Sequence, residues 1–156
     1  MRCWAVIADF ETRSRINLKK AGAWRYSVDA STDALRLGYR IDGGPRRMWK
    51  RGMPAPRDLI AALESGAFFE AHNSFFEWCI WMNVMVKRYG WPPLRLPRMI
   101  CLAARAAFNC LPRALELACY QMGIDGKGDD KAMKKLSKPR KPTAPPWTRT
   151  SSRFTS

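Results

Sequence analysis

The sequence predicts an α/β domain, a sheet with helices packed on it, and three segments carry that prediction. Near the start, Cys3, Trp4, Ala5, Val6, Ile7 and Ala8 form an apolar run that ends in Asp9, Phe10, Glu11 and Thr12. Leu35, Leu37, Tyr39 and Ile41 then alternate with Arg36, Gly38, Arg40 and Asp42, the period of a strand with one wet face. From Ser74 to Tyr89 the pattern becomes that of a helix apolar on most sides, through Phe75, Phe76, Trp78, Ile80, Trp81, Val84 and Met85. A chain of 156 residues has room for one such domain with a substantial core.

The first run is almost continuously apolar, as in a strand covered on both faces. A basic and polar segment from Arg13 to Lys20 leads to Trp24, Arg25, Tyr26, Ser27 and Val28, which read as a short strand. After the alternating strand, Asp42, Gly43 and Gly44 are a turn signal, so Arg47, Met48, Trp49 and Lys50 return as its hairpin partner. Pro54 and Pro56 mark a loop, and Pro56 suits the first turn of a helix running through Leu59, Ile60, Ala62 and Leu63 toward Gly66. Ala67 to Ala71 reads as another short buried strand, and Gly90, Trp91, Pro92 and Pro93 end the long helix that follows. Two further helices are expected, one over Ile100 to Cys110 and one over Pro112 to Met122, with Gly123 as a stop. Beyond Gly126 the composition shifts to lysine, proline, serine and threonine. This predicts a folded unit over 1–126 and a disordered basic tail over 127–156.

A formal charge of +15 exceeds what solubility alone asks for and points to a polyanionic partner, nucleic acid ahead of an acidic membrane surface. Nine Lys or Arg against Asp129 and Asp130 place +7 of that charge from Lys127 onward. The five cysteines form no CxxC pair, and their odd number and apolar settings argue for reduced thiols in a cytoplasmic protein and against a zinc site. Glu77, Lys87 and Arg88 interrupt the most apolar stretch before it reaches membrane-helix length, so no membrane association is expected.

Acids two positions apart on a strand point the same way, so Asp9 and Glu11 can reach one metal ion together. They also stand at the carboxyl end of a strand, where α/β sites sit. The alternative is a strand end with two solvated carboxylates. Asn73 and Glu77 are four apart and share a helix face. Glu77 is oddly placed among Phe75, Phe76, Trp78 and Ile80, since burying an acid is costly without a cation or hydrogen-bond partner. A metal shared with Asp9 and Glu11 would supply one. The alternative makes Asn73 a helix N-cap and Glu77 a first-turn acid favoured by the helix dipole. His72 is the only histidine, which rules out a histidine-rich metal site. Packing or a hydrogen bond near the strand end is its expected role.

Asp9, Phe10, Glu11 and Thr12, with Ala71, His72, Asn73, Ser74, Phe75, Phe76 and Glu77, form two motifs, and around them the chain resembles a family. It is similar to the DEDD 3′ to 5′ exonucleases of ribonuclease H-like fold, above all to proofreading domains of phage and bacterial DNA polymerase I-like proteins. Leu18, Lys19, Gly22, Tyr26 and Thr32 extend the likeness between the motifs. Cys101, Ala104, Leu111, Pro112, Leu115, Gly123 and the run Lys135 to Arg140 extend it after them. In that family four acids hold two divalent ions, which activate a water and stabilise the leaving oxygen as a terminal nucleotide is removed.

The resemblance implies a ribonuclease H-like mixed sheet flanked by helices, with Asp9, Glu11 and Glu77 as catalytic acids holding Mg2+ or Mn2+. Glu77 stands where many relatives have aspartate. By the same resemblance, Thr12, His72 and Asn73 would meet the 3′ end of single-stranded DNA. The family's third motif, a Tyr or His four residues before the last catalytic Asp, has no match: Tyr120 is followed four positions on by Ile124, Tyr26 by Ala30, Tyr39 by Gly43, Tyr89 by Pro93 and His72 by Phe76. The expectation is an exonuclease domain incomplete at its C-terminus, truncated or frame-altered. Its activity would be lost with the last acid unless a polymerase or another chain supplies one. The competing expectation is a noncatalytic, basic nucleic-acid-binding protein or a remnant.

Overall fold

The computed structural model describes residues 5–124. Five strands, β1 (Ala5–Arg13), β2 (Asp33–Ile41), β3 (Arg47–Lys50), β4 (Phe68–Ala71) and β5 (Met99–Cys101), form one sheet in the order β3-β2-β1-β4-β5. β2 pairs antiparallel with both β1 and β3, while β4 is parallel to β1 and β5 to β4. One strand thus runs against the other four. The helices are α1 (Leu18–Val28), α2 (Arg57–Glu64), α3 (Ser74–Ile80), α4 (Leu102–Phe108) and α5 (Leu115–Gln121). α3 continues through a π turn over Trp81–Val86 into a last α turn at Lys87–Tyr89, where Gly90 closes it in the left-handed conformation. This mixed sheet flanked by helices is compatible with the ribonuclease H-like fold.

The sheet's buried face is built by alternation. Val6, Ala8 and Phe10 of β1, Leu37 and Tyr39 of β2, Trp49 of β3 and Phe69 and Ala71 of β4 all lie in the core. Trp81 is the hub on the helical side: its ring meets Phe10, Phe69 and Trp91 edge-on, and its indole N–H donates to the Pro92 carbonyl at 2.8 Å. α2 is tied to the same sheet by polar contacts. The Tyr39 phenol, pushed up to about 12 by burial and by Asp58, donates to the Asp58 carboxylate at 2.9 Å, and Arg47 pairs with that carboxylate too. On the opposite face Glu70 pairs with Arg105 of α4 at 3.7 Å, yet Ile7 remains 46% exposed. β1 is therefore not covered on both sides, as its apolar composition had led us to expect. Its small and aliphatic residues hide an ordinary alternation of burial.

Three other expectations change. Trp24 to Val28 is helical, because Asn17 caps α1 by accepting from the Lys19 and Lys20 amides at 3.0 and 3.3 Å, and Gly22, at φ +76°, kinks rather than ends it. Tyr26 and Ser27, adjacent in sequence, are then both buried, as neighbours within one helix face can be. Ile100 and Cys101 belong to β5, drawn into pairing with Glu70 and Ala71, so the helix expected from Ile100 begins only at Leu102. Pro56 occupies the N-cap of α2 rather than its first turn. The hairpin, β4, the long α3 and the Gly123 stop stand where the sequence places them. Among the described residues no helix is long and apolar enough to cross a membrane. The basic tail expected over 127–156 lies outside the described residues.

Trp81→Ala removes the ring that joins α3 to three other aromatic side chains, and is expected to destabilise the domain by about 3–5 kcal/mol in urea unfolding. A loss under about 1 kcal/mol, the scale of a surface substitution, would show that this ring does not hold α3 to the sheet.

Candidate active site

β1 is longer than the strand beside it. Its parallel pairing with β4 runs from Ala5↔Phe68 to Ile7↔Glu70 and stops, while β1 continues to Arg13. The Phe10 amide lies beyond that pairing, and the Glu77 carboxylate accepts its proton, Oε2 to N, at 3.1 Å. Glu77 comes from the first turn of α3, the helix that follows β4, and is only 3% exposed. The partner this buried acid requires is therefore a backbone N–H of the acidic strand itself.

Asp9 and Glu11 flank Phe10 on β1 and stand on the face opposite its buried ring, Asp9 exposed and Glu11 half-buried. Just past Glu11 the pairing with β2 slips: Glu11 faces Arg36 and Thr12 faces Ala34, so Leu35 is the extra residue of a bulge carried by β2. Glu77 feels the other two acids. The Glu77 carboxyl is raised well above the usual carboxylate range, first by burial and next by the negative charge of Asp9, with Glu11 adding least; the Phe10 N–H opposes the rise.

Asp9 and Glu11 are thus inside β1, which runs on to Arg13, and not at the strand's carboxyl end as expected; with Glu77 they still have the chemistry of a hard divalent cation's donors, and a cation there would relieve the charge that helps hold Glu77 up. Among the described residues, however, no three His, Cys, Asp or Glu side chains are gathered as a metal-ligating group. Drawing Asp9 and Glu11 in beside Glu77 would have to accompany ion binding.

The residues expected to meet nucleic acid are placed as follows. The Thr12 hydroxyl shares a hydrogen bond with the Tyr26 phenol at 2.9 Å. Asn73 is exposed at the N-cap position of α3, but its side chain makes no capping bond, so the N-cap role weighed for it is filled in position only. His72 is half-buried, and its carbonyl accepts from the Ala103 amide at 2.9 Å, which ties the end of β4 to α4. The sequence reading missed Tyr26 and Trp24 as neighbours of the site, having put both on a strand. The signal was Asn17, a capping residue in front of the basic run Lys19 and Lys20. Compared with known proteins, the chain matches no family model and no curated sequence.

A carboxyl whose folded-state value lies above its unfolded one supports the fold while protonated, and that support is lost as pH rises through the folded value. Glu77→Gln keeps an oxygen for the Phe10 N–H and cannot ionise. It is expected to melt with wild type below the usual carboxylate range and above wild type in mildly alkaline buffer without divalent ions. Millimolar Mg2+ or Mn2+ is expected to narrow that gap by raising wild type. A glutamine variant that melts lower at every pH would show that the buried carboxylate is not strained.

Proposed function

We propose that this is an exonuclease-like domain that acts on the 3′ end of single-stranded DNA by metal-assisted phosphodiester hydrolysis, with Asp9, Glu11 and Glu77 as its acids. One observation carries the reading: a buried glutamate from the helix after β4 is bonded to the Phe10 amide of the acidic strand, where the negative charges of Asp9 and Glu11 reach it. The mixed five-strand sheet flanked by helices is compatible with the ribonuclease H-like fold on which the resemblance rests. Bound Mg2+ or Mn2+, held by Asp9, Glu11 and Glu77, would lower the pKa of a water and stabilise the leaving oxygen.

The protein's own part is positional. The Phe10 N–H fixes one Glu77 oxygen against β1, which carries Asp9 and Glu11 on either side of Phe10. Thr12, His72 and Asn73 lie next to these acids in the chain and are the residues we assign to the strand end of the substrate. The fourth acid of the two-metal family has no motif match in the sequence, which predicts weak ion binding and slow hydrolysis unless another chain, such as a polymerase, completes the site. Free thiols at Cys79, Cys101, Cys110 and Cys119 support a reducing, cytoplasmic setting.

A second reading, noncatalytic nucleic-acid binding, is favoured by the charge of +15 and by the ungathered acids. An end-labelled single strand incubated with Mn2+ separates the two. Wild type is expected to shorten it from the 3′ end, and Asp9→Ala to do so about a hundredfold more slowly, the scale of losing one group that stabilises transition-state charge. If both proteins bind the strand equally and leave it intact, the hydrolytic reading is wrong.

A further inference from the structure

Two rings on α3 and one on α1 form a run of offset-stacked aromatics. Phe75 and Trp78 have centroids 6.2 Å apart and planes 21° apart, and Trp78 and Trp24 repeat the spacing at 6.2 Å and 26°. The ring pairs of the core around Trp81 and Trp49 are different, meeting edge-on at 65° to 84°. The outer members of the stacked run are half in water, Trp24 49% and Phe75 53% exposed. Core packing does not account for two large rings left in that state, since closing them off would be favourable.

The run is held in place from beneath. Tyr26, two residues after Trp24, packs on Phe76 at 5.9 Å, and Asn83 of the π turn donates to the Ser27 hydroxyl at 2.9 Å. Lys87 donates in turn to the Asn83 carbonyl oxygen at 2.8 Å. α1 is thereby locked onto α3 just beside Trp24. Lys19, Lys20 and Arg25 of α1, the helix that carries Trp24, are exposed, and α1 contains no acid.

We propose that Trp24, Trp78 and Phe75 form a stacking surface for the bases of a single-stranded nucleic acid, with Lys19, Lys20 and Arg25 meeting its phosphates. Near-parallel rings with open outer members suit the faces of unpaired bases, which a duplex keeps against one another. The exposed cations suit the backbone that joins those bases, and argue for this occupant over an apolar peptide. Trp78 is the next residue after Glu77, so the surface stands on the same helix turn as the buried acid. The proposal rests on reading that acid site as one that meets a single strand, and adds how the strand's bases and phosphates are held.

The test measures binding alone, in EDTA, by anisotropy of an end-labelled oligothymidylate and of an abasic oligomer of the same length and charge. Wild type is expected to bind the base-bearing strand about tenfold to a hundredfold more tightly, the range given by one or two stacked bases. Trp24→Leu and Phe75→Leu, both at half-exposed positions, are expected to reduce that margin with an unchanged salt dependence, and Trp24→Phe to keep most of it. Equal affinity of wild type for the two strands, or an unchanged margin in both leucine variants, would overturn the proposal. A margin that holds while the wild type fails to shorten DNA in Mn2+ removes hydrolysis and leaves the stacking surface standing. Shortening that proceeds without any margin does the reverse.

Discussion

The site depends on a mismatch in length. β1 overruns β4, and the strand partner that would have taken the Phe10 amide is missing. A buried amide without an acceptor costs about 1–3 kcal/mol, and a buried carboxylate without a donor costs more. Glu77 answers both needs with one bond. That bond brings a carboxylate from a different element to within electrostatic reach of Asp9 and Glu11, which β1 carries on either side of Phe10. Without the overrun, Glu77 would have no reason to turn toward the sheet, and the two acids of β1 would be an ordinary polar strand end.

Two fields of opposite sign follow from this arrangement. Most of the molecule is basic, with a charge of +15, and would draw a polyanion toward its surface from any direction. The surroundings of Glu77 are the exception, a place where Asp9 and Glu11 raise the cost of ionising it.

The packing that holds α3 also sorts its aromatic residues. Trp81 points into the core, where Phe10, Phe69 and Trp91 meet it edge-on, and the chain from Ser27 through Asn83 to Lys87 joins α1 to the far end of the same helix. With those contacts fixed, Phe75 and Trp78 are left on the side of α3 that faces α1 and water. The helix is apolar on most sides, as its composition requires, but its sides are used differently.

What the residues alone determined is local. The alternation of β2, the Asp42-Gly43-Gly44 turn, the stop at Gly90 and the acid pair on β1 are each set by periodicity or by the conformations one residue type allows. Glu77 could be singled out too, because an acid in so apolar a helix must have a partner. The identity of that partner, the Phe10 amide, could not be read, since it depends on where β4 stops beside β1, sixty residues away in the chain. The same holds for Ile100 and Cys101, which a free strand edge recruits from a helical pattern, and for Ile7, left half in water because nothing described covers that side of β1. Sequence decides what a segment prefers on its own; the ends and edges of neighbouring segments decide which polar groups remain to be satisfied, and the acid site is built from one of those.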